Sequence, residues 1–309
     1  MSQFFFWSPE EAAEKQVLQI GASACGATGV INVLRVLDLP SSVEEVAPHI
    51  NTRLRAEDAP VIEYLHSRSV AGTTHEELIA GLEKSSQSKV FARFFPFHPR
   101  RDVNLSDWLK GWMRQGVVGL ATLNLQRAVP QGYQVPDAWH HQMIYGVEDN
   151  KIYMCNPVVA ESHADVMEQL CSESVLLIRR SDIMKRYSAE EDLRKIEVHP
   201  DMRWREMKVS DQVYKIIDED MAIPLPKTAA YDVLRDCLFT SHVTIPAAYQ
   251  SGITLCVRQD NIEACQRLTD AKQLPILESR KNEEEEEVEV VITSKRTEDS
   301  ASGAASLIP

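Results

Sequence analysis

After Cys25 the apolar positions Val30, Val33, Leu34 and Leu37 recur at helical spacing, and Leu39-Pro40-Ser41-Ser42 stops the pattern. Ser42 and Glu45 form a capping-box pair for a following helix, and Thr74 and Glu77 form another. Ser106 to Met113 reads as a Ser-capped helix. The pattern then changes: Val90–Phe94, Val117–Leu123, His140–Val147, Lys151–Cys155 and Ser174–Ile178 are short runs of strand character. Glu148-Asp149-Asn150 supplies a hairpin turn between the third and fourth of these. Helices first and antiparallel strands later predict an α+β domain over residues 1–190, with Phe4, Phe5, Phe6 and Trp7 packed on it.

Residues 190–212 are strongly charged and read as a connection. Beyond them, Tyr231–Leu238 and Asn261–Leu268 predict helices and Gly252–Val257 a strand. These elements predict a linker and small α+β unit over 191–280, standing apart or packed on the first. Residues 281–309 carry the acidic run Glu283–Glu287 and a Ser/Ala/Gly-rich end, the composition of a disordered tail able to contact a protein partner.

Composition narrows the picture. The net charge of −13 over 309 residues argues against a nucleic-acid footprint. The start lacks the basic and long apolar regions of a signal peptide, and no apolar run approaches the ~20 residues of a membrane span. A cytoplasmic protein without membrane contact is expected. The six cysteines (25, 155, 171, 237, 256 and 265) include no CxxC pair and read as reduced thiols. No His/Cys cluster has structural-zinc spacing, and no cofactor is expected.

The chemistry concentrates at Cys25. Gln19 precedes it by six positions, and Cys25 opens the amphipathic helix. A helix N-terminus favours a thiolate, and a nearby glutamine amide can donate to an oxyanion beside the sulfur. Trp139-His140-His141 supplies two candidate bases, and an imidazole partner predicts a thiol lowered into an ion pair. Strand alternation allows only one of the two rings to face Cys25. Hairpin pairing brings Asn156 beside these histidines at one end of the sheet, where it can hold the base.

Gln19-x5-Cys25-Gly26-Ala27, a helix, and a later His–strand–turn–strand–Asn156-Pro157 resemble the papain-like cysteine peptidase superfamily. Within it, the double-glycine leader peptidase-like branch is the most similar. The resemblance covers residues 15–180 and stops before 200. It implies a papain-like fold, with a helical part carrying the cysteine and an antiparallel sheet carrying His and Asn. It implies Cys25 as nucleophile, Gln19 with the Cys25 main-chain amide as oxyanion hole, and Asn156 as orienter of the base. Family spacing favours His140 as that base, with Gly146 six and Asn156 sixteen positions on; His141 is the alternative. The chain departs from that branch in having Asn156 where the branch has Asp. It departs from papain in having Ala27-Thr28 where papain has an aromatic residue.

The expected function is therefore a cysteine hydrolase, a thiol peptidase acting on a peptide or protein substrate through an acyl-enzyme. Two alternatives stand beside it. One is acyl transfer on the same fold, with an amine or thiol in place of water. The other is a catalytically inactive peptidase-like binding or scaffold protein.

Overall fold

The computed structural model describes residues 3–101, 103–130, 133–136, 138–222 and 238–274. The acidic tail, most of the predicted helix Tyr231–Leu238, and Cys237 lie outside the described residues. The architecture is α+β around an antiparallel sheet. The helices are α1 (Pro9–Lys15), α2 (Cys25–Val36), α3 (Val43–Val46), α4 (Val61–Val70), α5 (His75–Ser85) and α6 (Leu105–Met113), then α7 (His163–Leu170), α8 (Arg180–Arg186), α9 (Arg203–Glu206), α10 (Val209–Ala222) and α11 (Ile262–Asp270). The strands are β1 (Phe4–Phe5), β2 (Val90–Pro96), β3 (Val118–Asn124), β4 (Trp139–Val147), β5 (Lys151–Cys155), β6 (Val159–Ser162), β7 (Val175–Arg179), β8 (His242–Pro246) and β9 (Gly252–Arg258).

The main sheet has the order β2-β9-β3-β4-β5-β6, with β1 paired to β4, and every pairing is antiparallel. β3 is buried along its whole length. Its alternate residues feed two apolar clusters, one with α2 and one with α6 and α7, so helices cover both faces. A second sheet, β7-β8, packs with α4 and α10 into a third cluster that includes Trp139 and Tyr249.

Local chemistry explains most element starts. Ser8 and Glu11 close a capping box around Pro9 at the head of α1, and Thr74 and Glu77 close another at α5. The cap of α6 is Asn104, two residues before the Ser106 expected, because the Asn104 side chain accepts from the Asp107 N–H. Ser106 instead donates to the Asp149 carbonyl.

The described part of the stretch 191–280 does not stand apart. β9 lies between β2 and β3, paired to both, so residues near the C-terminal end complete the central sheet. β8 likewise pairs with β7 of the first 190 residues. Sequence order hid this arrangement because strand insertion is a long-range pairing with no local signature. No helix among the described residues is long and apolar enough to cross a membrane.

Candidate active site

Two buried polar side chains on α2 hold the segment that leads into it. Asn32 accepts from the Val17 N–H at 2.7 Å and donates to the Val17 carbonyl at 3.0 Å. Thr28 accepts from the Ile20 N–H at 3.2 Å. The two anchors bracket Gln19 and set its distance from the head of the helix. Gly29 lets α2 approach the sheet closely: a Cβ there would lie 2.7 Å from Leu120 Cδ1.

Cys25 is buried at the first position of α2. Main-chain N–H groups of His141, Gly26 and Cys25 itself interact with its sulfur and favour the thiolate, but burial outweighs them and pushes the thiol above its ordinary range. No hydrogen bond joins the thiol to either imidazole. Cys25 therefore rests as a neutral thiol. The ion pair expected from its helix-start position is not the resting state, because a desolvated helix end cannot repay the loss of water around a thiolate.

The adjacent histidines have separate assignments. His141 is buried among α2, β3 and the loop before α5. Its Nε2 lies 3.0 Å from the Thr73 carbonyl and its Nδ1 3.1 Å from the Thr122 hydroxyl. A carbonyl only accepts, so Nε2 carries the proton and Nδ1 accepts from Thr122. Burial pushes this imidazole down to about 4, and with both nitrogens engaged it is not placed to serve as the alternative base. His140 has its Nε2 2.7 Å from the Asn156 carbonyl. By the same logic Nε2–H donates there, and Nδ1 is the nitrogen free to take a proton. Burial lowers its pKa, so His140 also rests neutral.

Asn156 thus meets the expected base through its main chain, not its side chain. Its N–H donates to Gln16 Oε1 at 3.0 Å, and its Nδ2 is buried with no partner. Its φ of 72° is left-handed, a conformation asparagine tolerates better than most residues. The strand-end geometry points the carbonyl at the ring, which side-chain identity alone did not reveal.

A pocket of about 80 Å³ brings Gln19, Ser23, Cys25, His140 and His141 to one place. Gln19 is exposed, and its amide donates to the Gly21 carbonyl at 3.0 Å. A side-chain rotation is needed before it can serve an oxyanion. The same pocket is also lined by Arg55, Arg68, Gly72, Trp139, Leu176 and Tyr249. Apart from Trp139, which adjoins the expected base, none of these was legible as a site residue, because no local motif marks them. Gly72 has a φ of +100°, and a Cβ there would sit 2.6 Å from the Tyr249 hydroxyl. Only glycine lets that hydroxyl close the pocket.

No group of three or more metal-binding side chains occurs among the described residues. Cys155, a conceivable third ligand beside Cys25 and His140, belongs to the apolar cluster under α2, and burial raises its thiol to about 12. The chain matches no protein-family model, and comparison with curated proteins returns no match.

Proposed function

We propose that the chain is a papain-like cysteine hydrolase that cleaves a peptide or amide bond at Cys25. One observation carries the reading: a single pocket holds Gln19, Cys25 and His140, with the tautomer of His140 set by the Asn156 carbonyl. The neutral resting pair shapes the mechanism. As Cys25 Sγ attacks the carbonyl carbon, its proton passes to His140 Nδ1. The carbonyl oxygen becomes an oxyanion beside the Cys25 N–H and the rotated Gln19 amide. Collapse breaks the C–N bond, and the imidazolium gives its proton to the leaving amine. Water, deprotonated by the same nitrogen, then releases the acid and restores the thiol.

The pocket is far smaller than the ~300–1,000 Å³ that encloses a whole small ligand. It therefore holds one short group of the substrate, and the remainder lies outside.

A second reading has its own support. A neutral, buried thiol with no hydrogen bond to an imidazole is also what a non-catalytic relative retains. A peptidyl electrophile applied to native protein, with the modified residue mapped by mass spectrometry, separates the two. The hydrolase reading expects selective modification of Cys25 that His140→Ala slows. Modification of Cys25 no faster than in denatured protein, and unaffected by His140→Ala, supports the binding protein.

A further inference from the structure

One buried hydroxyl in the Cys25 pocket has no task within the chain. Tyr249 lines the pocket, is only 6% exposed, and lies beyond the residues that resemble a peptidase. Main-chain bonds pin its segment: the Ala247 N–H donates to the Ser174 carbonyl at 2.9 Å, and the Ala248 N–H to the Ser69 carbonyl at 2.8 Å. Its ring stacks on Trp139 with centroids 5.8 Å apart and stands edge-on to His141 at 6.3 Å. Trp139 directly precedes His140, so one strand start seats both the expected base and the phenol. The hydroxyl lies close enough to Cys25 for a charge on the sulfur to act on it, and burial raises its pKa, so it keeps its proton. Among the described residues no hydrogen bond engages this hydroxyl, and it is not one of the fully enclosed polar atoms left without a partner. It therefore opens into the pocket with its donor unspent. A buried phenol ordinarily spends its O–H on a partner, so a fixed ring with a free donor beside a thiol calls for an acceptor from outside the chain.

We propose that Tyr249 is a catalytic residue: its hydroxyl donates a hydrogen bond to the oxyanion that forms when Cys25 attacks the substrate carbonyl. As the bond from Sγ to carbon forms, the carbonyl π pair moves onto oxygen, and the phenol holds that oxygen without giving up its proton. When the pair returns and the C–N bond breaks, the amine leaves with the proton carried by His140. Tyr249 supplies a donor that Gln19 does not offer at rest, where the Gln19 amide is turned to the Gly21 carbonyl. A pocket of about 80 Å³ keeps a carbonyl group that reaches Cys25 near the phenol as well. This assignment rests on Cys25 being the reactive thiol, and it adds a residue to that same site.

p-Nitrophenyl acetate and iodoacetamide, applied to the full chain at one pH, test it. The ester reacts with a thiol through a tetrahedral oxyanion, whereas iodoacetamide alkylates by displacement and forms none. The ester rate is the part of nitrophenolate release that Cys25→Ala abolishes, and the alkylation rate at Cys25 is read by peptide mapping. Tyr249→Phe keeps the ring and its stacking and removes a hydroxyl that no described residue uses, so the thermal unfolding midpoint should not change. The expected result is an ester rate at least about tenfold lower in Tyr249→Phe, with alkylation of Cys25 unchanged. Gly72→Ala, whose methyl would lie 2.6 Å from the same hydroxyl and displace it, should show the same selective loss and keeps the test open if Tyr249→Phe does not fold. Both rates unchanged in Tyr249→Phe, or both slowed by one factor, overturn the Tyr249 assignment and leave the nucleophile reading intact. So does ester turnover that Cys25→Ala leaves intact while iodoacetamide labels Cys25. Failure of both reagents to modify Cys25 in folded protein overturns the nucleophile reading, and this assignment with it.

Discussion

The two sides of the pocket were built by different means. The side with Gln19, Cys25 and His140 comes from a compact motif and one hairpin, brought together where α2 packs on the sheet. The side with Arg55, Arg68, Leu176 and Tyr249 comes from four separated segments, assembled only when β7 and β8 pack against α4. The cysteine motif and the hairpin each have a local sequence signature, although only packing brings them together. The other lining residues have no such signature, since any element that packs there can supply them.

The sharpest way to break this contrast is Cys25→Ala. If the first side does the chemistry, hydrolysis falls by at least about 10³-fold, measured as initial rate on a peptide substrate. His140→Ala should come next, slowing modification of Cys25 by a peptidyl electrophile by ~10²–10⁴-fold.

The neighbouring histidine should affect stability instead. His141 is buried and neutral, with its pKa depressed from the ordinary 6.5 to about 4. Its folded value is depressed, so the stability it contributes is fully present above pH ~6.5 and is lost as pH falls through about 4. The full contribution is about 3 kcal/mol, from 1.36 kcal/mol per pKa unit. Acid unfolding followed by circular dichroism should steepen across that window, and His141→Gln should flatten it while costing stability at neutral pH.

Gly72→Ala probes the second side. The added methyl would collide with the Tyr249 hydroxyl on a left-handed backbone, costing about 1–3 kcal/mol in thermal unfolding. The smallest effect expected is that of Asn156→Ala. The carbonyl that holds His140 survives, so modification of Cys25 should slow by less than about tenfold. The left-handed φ should cost about 1–2 kcal/mol of stability. A loss matching His140→Ala would show that the side chain, not the main chain, orients the ring.

Much of the fold was legible. The capping pairs Thr74/Glu77 and Ser42/Glu45, the β4–β5 hairpin and the helix opening at Cys25 are local arrangements of caps, turns and periodicity, and each forms where the chain predicts it. The placement of β9 was not legible, because its partners β2 and β3 lie more than a hundred residues away. The protonation of Cys25 was misread for a related reason. A helix start is visible in sequence, whereas the desolvation that opposes it depends on everything packed around the sulfur.

By itself, then, the amino-acid order determined the candidate nucleophile, a pair of candidate bases and the α+β ordering, because each depends on contacts within a helix, a turn or a hairpin. Only the tertiary structure gave His140 and His141 different partners, the Asn156 carbonyl for one ring and the Thr73 carbonyl for the other. It alone placed two arginines and a tyrosine in the pocket that holds the thiol. Those outcomes depend on burial and on neighbours distant in sequence, and neither exists until the chain has packed.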